Sequence, residues 1–269
     1  MKNWKTDLDF AQLLADQADS ISLARFNSLD LHVTQKPDLT PVSDADLAVE
    51  TKLRALITSA FPGDSVIGEE FAHTNLGERT WIIDPIDGTK NFVRGVPVWA
   101  TLIALRINNE VTLGVVSAPA LNRRWWGVLG NGAWVRESTS HSPRRLATSS
   151  VTTLSDASFS YSDQRGWVND QFEALRENTW RQRAYGDFWS HMLLAEGAVD
   201  ISAEPELALH DYAALLPIVS QAGGHFSQFD GTSLPIHDPH AHPSLLCTNG
   251  NLHQDCLNLI EIKDIGPIC

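Results

Sequence analysis

Residues 81–92 read W-I-I-D-P-I-D-G-T-K-N-F, and the interpretation of the whole chain starts from this stretch. The apolar residues 81–83 predict a buried strand that leads into Asp84. Pro85 follows directly, and because proline has no backbone N–H to give to a ladder, we expect strand pairing to stop there. The sequence therefore predicts a strand that ends on a carboxylate.

Asp84 and Asp87 place two carboxylates three residues apart, where a tight turn can aim both at one point. Two like charges so close repel each other, so both stay ionised only with a cation between them. Carboxylate oxygens suit Mg2+, Mn2+ or Ca2+ better than zinc or copper. Gly88 and Thr89 offer backbone N–H groups at a predicted helix N-terminus, a usual place for phosphate. The stretch predicts a metal-dependent phosphoryl site, although D-x-x-D-G is also an ordinary turn sequence.

The composition is typical of a globular protein with room for one large domain or two modest ones. The 269 residues are 43% hydrophobic and 20% charged. The formal net charge of −13 argues against nucleic acid as a partner and suits a site that collects divalent cations. No window approaches the roughly 18 apolar residues of a membrane span, and the N-terminus lacks the apolar core of a signal peptide. Three cysteines without metal-ligand spacing predict reduced thiols in a cytoplasmic protein.

The first part of the chain predicts two helices. Apolar residues at helical spacing predict one helix over residues 8–26. A loop broken by two prolines follows, and Ser43 then predicts the N-cap of a second helix that ends near residue 60. Asp46 lies three residues after Ser43, where helix capping alone would also explain it.

A short strand and a β-rich region follow these helices. Residues 65–70 read S-V-I-G-E-E, and because neighbours on an extended chain point to opposite sides, at most one of Glu69 and Glu70 can readily face Asp84. Residues 98–135 predict four strands, the first two joined by a turn at N-N-E. The polar residues 137–145 predict a linker, and we therefore expect domains over 1–145 and 146–269.

The second half of the chain alternates between the two kinds of element, which predicts an α/β layer. Strands are expected over residues 158–161, 180–185, 199–202, 225–229 and 244–249, and helices over 168–176, 188–197, 211–224 and from 251. His237, His240 and His242 lie in a segment interrupted by prolines, so a surface loop is predicted there in preference to a transition-metal cluster.

Four pieces of the sequence occur in a fixed order. They are V-S-D-A-D ending at Asp46, G-E-E at 68–70, D-P-I-D-G-T at 84–89 and H-D-Y-A-A at 210–214. Together they resemble the inositol monophosphatase family of metal-dependent phosphomonoesterases, and the resemblance covers nearly the whole chain. It implies a layered α-β-α-β-α sandwich of the α+β (or α/β) class, a site between two domains, and commonly a homodimer.

The resemblance also implies how metal ions are held. Glu69, Asp84 and the backbone carbonyl of Ile86 would hold a first Mg2+, and Asp84, Asp87 and Asp211 a second. Mn2+ is a possible substitute, and the resemblance implies two to three ions in each site. Carboxylates of this kind agree with phosphoryl transfer, which needs charge stabilisation more than covalent chemistry.

Further roles follow from the resemblance for the residues around the ions. Asp46 would help to place a third ion through water, and Thr89 with Glu69 would orient the attacking water. The N–H groups of Gly88 and Thr89 would bind the phosphate, and Asp211 would lie beside the substrate. The catalytic residues implied are thus Glu69, Thr89 and Asp46.

One position departs from the family pattern. The family usually has W-D-x-A-A where this chain reads H-D-Y-A-A, with His210 in place of the tryptophan. Asp211 is kept, so the implied metal role survives, but the shape or charge of the adjoining substrate wall changes. A histidine here could titrate near neutral pH or be packed in its neutral form.

The residues 186–189, Gly-Asp-Phe-Trp, resemble the histidinol-phosphate phosphatase branch of the family. Asp187 and Glu204 are carboxylates available for a cationic leaving alcohol, and charge-assisted hydrogen bonds are roughly twice as strong as neutral ones. The alternative for Asp187 is a simple N-cap of the helix starting at Phe188. Arg183, on the preceding strand, is a further candidate for substrate contact.

The resemblance therefore implies a cytoplasmic, Mg2+-dependent phosphatase of histidine biosynthesis that acts on a small phosphate monoester, L-histidinol phosphate. A phosphatase for inositol 1-phosphate or another sugar-like monoester is the alternative, and a nucleoside bisphosphate phosphatase comes third. A non-catalytic metal-binding relative would be expected to lack Thr89 or a metal carboxylate, and all of these residues are present.

Overall fold

The computed structural model describes residues 4–36, 40–73, 77–137, 142–168 and 170–261. Cys269, the tail 262–269 and part of the predicted linker lie outside the described residues. The helices are α1 (Trp4–Arg25), α2 (Asp44–Ala60), α3 (Thr89–Val93), α4 (Gln171–Asn178), α5 (Asp187–Ala195), α6 (Leu209–Tyr212), α7 (Leu215–Gln221) and α8 (His253–Ile260). The strands are β1 (Val33–Gln35), β2 (Pro41–Ser43), β3 (Ser65–Gly68), β4 (Arg79–Asp87), β5 (Ala100–Ile107), β6 (Glu110–Ala118), β7 (Arg123–Val128), β8 (Gly132–Arg136), β9 (Arg144–Arg145), β10 (Ser158–Ser160), β11 (Arg181–Arg183), β12 (Ile201–Glu204), β13 (His225–Ser227) and β14 (Leu245–Thr248).

A seven-stranded sheet forms the centre of the first half, in the order β3-β4-β5-β6-β7-β8-β9. Strands β3 and β4 are parallel, and the remaining neighbours are antiparallel. Side chains of β4 alternate between the two faces of this sheet, as the period of a strand requires. Trp81 and Ile83 join the core beneath α1 and α2, whereas Ile82 joins the core beneath α5 and α7. Both faces are therefore covered by helices.

The central strand continues past Pro85, so the expectation that pairing stops at the proline was wrong. Asp84 pairs with Leu102 and Asp87 with Ala100, so two residues of β4 oppose the single residue Thr101. This is a β-bulge, one of the few places in a sheet where proline is tolerated. The Thr101 hydroxyl donates to the Pro85 carbonyl at 2.8 Å. The bulge bends the strand between the two aspartates.

Helices α6 and α7 occupy the region where one helix over 211–224 was expected. Pro217 lacks the N–H that a continuous helix would give to the carbonyl four residues earlier, and its ring would clash there. The chain accordingly leaves the helix after Tyr212 and resumes it at Leu215. A Cβ at Gly114 on β6 would lie 2.0 Å from the Ala214 carbonyl oxygen, so glycine permits this break to pack against the sheet.

The second half contains a five-stranded sheet in the order β11-β10-β12-β14-β13. Its outer face packs against α4 and α8 around Phe159 and Phe172. Its inner face meets α5 and α7, which separate it from the seven-stranded sheet. The layers thus run α1/α2, sheet, α5/α7, sheet, α4/α8, which confirms the predicted α-β-α-β-α sandwich.

Residues at the predicted domain boundary belong to a strand and to the hydrophobic core. Arg144 and Arg145, at the end of the expected linker, form strand β9 and extend the first sheet. Leu146 lies in a core cluster whose members come from both halves. The division at residues 145 and 146 remains a prediction.

Other expectations from the sequence have clear outcomes. His237, His240 and His242 are exposed in an irregular segment, which confirms the surface loop. Cys247 and Cys256 are buried free thiols. In the described ranges, no helix combines the length and the apolar character needed to cross a bilayer. Strands β1 and β2 form a small antiparallel pair in a region expected to be loop.

Candidate active site

Two overlapping groups of side chains converge at the end of β4. One carboxylate oxygen from each of Asp84, Asp87 and Asp211 lies within 4.8 Å of the others. Glu69, Asp84 and His210 satisfy the same condition with a ring nitrogen from the histidine. Asp84 belongs to both groups and therefore lies at their junction. The expected convergence of four acids from distant parts of the sequence is thus present.

Three elements supply these ligand atoms, and the fold explains why they meet. Glu69 follows the last residue of β3, which runs parallel to β4, so its position is next to the carboxyl end of that strand. The bulge in β4 brings Asp84 and Asp87 towards one point. Helix α6 contacts β4 directly and carries both His210 and Asp211. The backbone N–H of Ala208 donates to Asp211 Oδ2 at 2.7 Å and fixes that carboxylate.

The environment of Asp84 suits a cation. The side chain is 2% exposed, and its Oδ1 accepts no hydrogen bond from any described residue. Burial raises its pKa well above the usual range, and the negative charges of Glu69 and Asp87 add to the effect. Burial likewise raises the pKa of Asp87 and of Asp211. A divalent ion would reverse these effects, because it favours the ionised carboxylates.

The donor set fits a hard divalent ion. Carboxylates dominate both groups, and such oxygens suit Mg2+, Ca2+ and Mn2+. Ligands of one ion at about 2.1 Å lie no more than about 4.2 Å apart, so the observed clusters need only small side-chain adjustments. A site of this kind can bind a phosphate and stabilise charge that develops on it.

Asp46 and Thr89 lie together beside this cluster. Thr89 Oγ1 lies 2.9 Å from the Ile86 carbonyl oxygen and 3.3 Å from Asp46 Oδ1. Ser43 donates its backbone N–H to Asp46 Oδ2 at 2.8 Å, so the capping-box position was predicted correctly. Burial raises the pKa of Asp46 to about 6. Asp46 therefore makes a helix-capping contact with Ser43 and a second contact with Thr89.

Lys36 forms ion pairs with both glutamates that follow β3. Its Nζ lies 2.6 Å from Glu69 Oε1 and 2.8 Å from Glu70 Oε1. Glu69 joins Asp84, whereas Glu70 does not belong to either converging group, as the alternation of an extended chain predicts. Burial and the neighbouring Glu69 raise the pKa of Glu70 to about 7.

Glu50 supports the same segment from α2. It is fully buried and accepts the backbone N–H of Glu70 at 2.7 Å. Arg54, one helical turn away, donates its Nε to Glu50 at 2.7 Å and compensates the buried charge. This ion pair holds the residues after Gly68 in place.

Asp187 approaches the cluster from the second half of the chain. It is the first residue of α5 with a φ of 48°, so the N-cap is Gly186 and the capping alternative for Asp187 was wrong. Its Oδ2 accepts from Asn91 Nδ2 at 3.1 Å, and its backbone N–H donates to Ser162 Oγ at 2.8 Å. Burial raises its pKa to about 6, with a further contribution from Asp211. A non-glycine residue in this backbone region is held by such contacts at a cost in strain.

Glu204 lies behind Asp187 at the end of β12. Ser162 Oγ donates to Glu204 Oε1 at 2.7 Å. Ser162 Oγ also accepts a hydrogen bond from the backbone N–H of Asp187. Burial raises the pKa of Glu204 to about 8, and the charge of Asp187 contributes. One serine therefore connects the two carboxylates that the sequence suggested for a cationic alcohol.

Gly88 and Arg183 are the remaining residues that the sequence suggested for substrate binding. Gly88 adopts a φ of 82°, which suits glycine, and precedes the five-residue helix α3. Arg183 is exposed on the edge strand β11 and donates to the carbonyl of its neighbour Gln182 at 2.7 Å. Among the described contacts, Arg183 reaches none of the converging acids, and its role at the substrate stays a prediction.

The sequence did not reveal several residues that complete the site. Lys36 lies in an irregular segment, and no sequence motif includes it. Ser162 lies two residues after β10, and no sequence motif includes it either. Asn91, two residues after Thr89, was part of the opening stretch, but its contact with Asp187 depends on the second half of the chain. His210 was noticed only as a departure from a family pattern, and the structure brings it to Glu69 and Asp84.

Comparisons with known proteins agree with this geometry. The sequence profile of the inositol monophosphatase family matches residues 3–263. A histidinol-phosphatase from Streptomyces coelicolor is 51% identical over 97% of this chain and 99% of the relative. A histidinol-phosphatase from Mycobacterium tuberculosis is 50% identical over 95% of this chain and 98% of the relative. The solved structure of a Thermotoga maritima IMPase superposes with a TM-score of 0.84 at 28% identity, and covers 95% of this chain and 96% of that one.

Proposed function

The chain belongs to the inositol monophosphatase family, and on that basis we propose that it hydrolyses L-histidinol phosphate to L-histidinol and phosphate. The observation that carries the proposal is the convergence of Glu69, Asp84, Asp87 and Asp211 in a chain half-identical to histidinol-phosphatases over nearly its full length. In histidine biosynthesis this reaction releases the free amino alcohol.

Mg2+ is the cofactor we propose, with two to three ions in each site and Mn2+ as a substitute. Glu69, Asp84 and the Ile86 carbonyl would hold one ion, and Asp84, Asp87 and Asp211 a second. When bound, such ions lower the pKa of a coordinated water and neutralise charge on the phosphate oxygens. Oδ1 of Asp84 has no hydrogen-bond partner among the described residues, and burial raises the pKa values of the acids; both observations support this assignment.

The attacking water is positioned by residues of the first half. We propose that Thr89 Oγ1 and Glu69 orient it, while Asp46 helps to place a third ion through water. The 2.9 Å and 3.3 Å contacts of Thr89 to Ile86 and Asp46 fix its hydroxyl at the edge of the cluster. Such orientation lowers the barrier by holding the reacting atoms in line.

The phosphate is bound beside the ions. The backbone N–H groups of Gly88 and Thr89 are the proposed donors, because they lie directly after Asp87 at the turn into α3. The positive φ of Gly88 permits this turn. A phosphate held there would lie between the carboxylate cluster and the start of the helix.

We propose that the protein selects its substrate through contacts with the leaving alcohol. L-histidinol presents an ammonium group and an imidazole, and Asp187 and Glu204 supply two buried carboxylates connected through Ser162. A cation bound beside these groups would favour their ionised forms and would donate charge-assisted hydrogen bonds to them, whereas a neutral polyol would not. We therefore rank inositol 1-phosphate below L-histidinol phosphate as a substrate. Arg183 remains a proposed contributor to substrate binding.

We further propose that the protein works as a cytoplasmic homodimer. The family resemblance supports the dimer, and the two buried free thiols agree with a reducing compartment. Light scattering of the purified full chain tests the dimer, for which twice the chain mass of 29.7 kDa is expected.

A direct experiment tests the proposed reaction. The full chain is treated with a chelator, and phosphate release from L-histidinol phosphate is followed before and after Mg2+ is restored. We expect activity to disappear with the chelator and to return with Mg2+. Release that is unaffected by complete removal of divalent ions would overturn the proposal.

A further inference from the structure

We propose that a ring nitrogen of His210 is a direct ligand of the divalent ion held by Glu69 and Asp84. This inference rests on the proposed metal-dependent function and goes beyond it, because the acids and the Ile86 carbonyl would otherwise make an all-oxygen site. The proposal gives the first ion a mixed nitrogen and oxygen ligand set.

The positions of the three side chains carry the proposal. One ring nitrogen of His210 and one carboxylate oxygen each of Glu69 and Asp84 lie within 4.8 Å of one another. The His210 side chain is 19% exposed, so most of its surface is shielded from solvent. Imidazole is a common metal ligand in its neutral form.

The hydrogen bonding of Asp84 supports a cation at this point independently. Asp84 is 2% exposed, yet its Oδ1 has no hydrogen-bond donor in the described chain. Buried polar atoms are rarely left without a partner, and a bound cation would satisfy this oxygen. The unpartnered atom belongs to the residue that the two groups of ligands share.

The short helix α6 carries two side chains that each belong to a different ligand group. His210 and Asp211 are consecutive, and their side chains leave the helix about 100° apart. Asp211 joins Asp84 and Asp87, whereas His210 joins Glu69 and Asp84. The distance from His210 Nε2 to Asp211 Oδ1 is 3.5 Å, so the two side chains lie side by side. One helical turn thus supplies one ligand to each of two neighbouring ions.

A nitrogen ligand changes which metal the site prefers. Imidazole suits zinc, copper, iron and nickel, whereas Mg2+ favours oxygen. Replacing an oxygen or water ligand by His210 would therefore raise the affinity for Co2+ and Zn2+ relative to that for Mg2+, and to a smaller extent the affinity for Mn2+, which is lowest in the first-row affinity order. The first site would therefore discriminate less strongly against such ions than the second site, which is made of carboxylates.

Mn2+ is the probe that tests this ligand directly. Electron spin-echo envelope modulation of the Mn2+-loaded full chain detects nitrogen nuclei bound to the ion, independently of catalysis. At about pH 8, where an ordinary imidazole is neutral, we expect nitrogen modulation in the native protein. His210→Gln should remove it and weaken Mn2+ binding at least tenfold, roughly the effect of disturbing a metal site. Mg2+ affinity should change much less.

Two further variants separate the possible outcomes. His73→Gln changes an exposed histidine whose ring contacts His240, outside both ligand groups, and should keep the nitrogen signal. Asp84→Asn should abolish Mn2+ binding at the site. Native protein that binds Mn2+ through Asp84 without nitrogen modulation would overturn the His210 assignment alone. Unchanged Mn2+ binding in Asp84→Asn would overturn the metal site on which the proposed function depends.

Discussion

The backbone N–H of Phe188 donates a 2.7 Å hydrogen bond to Oδ2 of Asp87. This contact joins the beginning of α5, in the second half, to a carboxylate at the end of β4, in the first half. Asp187, the residue before Phe188, therefore has a fixed position relative to the acids of the cluster. The residues proposed to select the alcohol and those proposed to hold the metal are thus joined by this hydrogen bond and by that from Asn91 to Asp187.

Replacing Asp87 with asparagine should abolish Mg2+-dependent phosphate release while the fold persists. The amide keeps the size of the side chain and can still accept from Phe188, but it removes a charge from the metal site. Burial and the neighbouring Asp187 already raise the pKa of Asp87, so loss of its charge should not destabilise the metal-free protein. Turnover and the melting temperature in a chelator are the measurements.

Asp170→Asn provides the matched control for that substitution. Asp170 is exposed, has a φ of 59° that asparagine also tolerates, and lies outside the cluster. It should retain full activity. Mg2+-dependent turnover in Asp87→Asn at a rate near that of the control would count against the metal assignment.

Asp187→Asn should impair hydrolysis of L-histidinol phosphate far more than hydrolysis of a neutral sugar phosphate. Asparagine tolerates the φ of 48° and can still meet Asn91, so the change removes mainly the charge. A hydrogen bond to a charged group contributes about 1.5–3 kcal/mol, which corresponds to a loss of roughly tenfold or more in kcat/KM. Equal losses on both substrates would show that Asp187 does not recognise the cation.

Lys36→Gln should tighten Mg2+ binding in the absence of substrate. The Lys36 ammonium lies 2.6 Å from Glu69 Oε1, so an ion that uses Glu69 competes with it. Removing the charge should lower the Kd for Mg2+ by roughly threefold to tenfold, which isothermal calorimetry measures. The exposed Lys52→Gln on α2 gives the same change in net charge as a control. Weaker Mg2+ binding in Lys36→Gln than in this control would disprove the competition.

Mg2+ should stabilise the protein more at about pH 8 than at about pH 5. Burial raises the pKa of Asp46, which is proposed to help place a metal ion, to about 6. A raised folded-state pKa contributes stability that is complete below the unfolded value of about 4 and is lost as the pH rises through the folded value. The free energy of unfolding of the metal-free protein should therefore decrease as the pH rises. A bound divalent ion should offset this decrease because it stabilises the ionised carboxylates. Melting temperatures with Mg2+ and with chelator measure the difference, and equal shifts at both pH values would contradict this.

Local patterns in the sequence predicted the helices α1 and α2, the hairpin of β5 and β6, and most strands of the second half. These elements are set by apolar periodicity and by caps such as Ser43, which act over a few residues. The strand through Pro85 was missed because the bulge depends on Thr101 of a neighbouring strand. The helix break near Ala213 could have been read from Pro217, whose missing N–H is a local signal.

The acids of the site were predicted through the family resemblance, whereas their supports were not. Asp84 and Asp87 are close in sequence and suggested a metal on their own. The contacts of Asn91 with Asp187 and of Ser162 with Glu204 join residues 96 and 42 positions apart, and no local pattern encodes such pairs. They exist because α5 and β12 are brought to the end of β4 by packing across the central layer.

The relative kcat/KM for three phosphate esters tests the central claim most directly. With Mg2+ present, phosphate release is measured from L-histidinol phosphate, inositol 1-phosphate and adenosine 3′,5′-bisphosphate. The two carboxylates behind the metal site predict that L-histidinol phosphate is preferred by at least about tenfold, as expected for one charge-assisted contact. Equal or faster hydrolysis of inositol 1-phosphate would contradict the account, even if the metal requirement held.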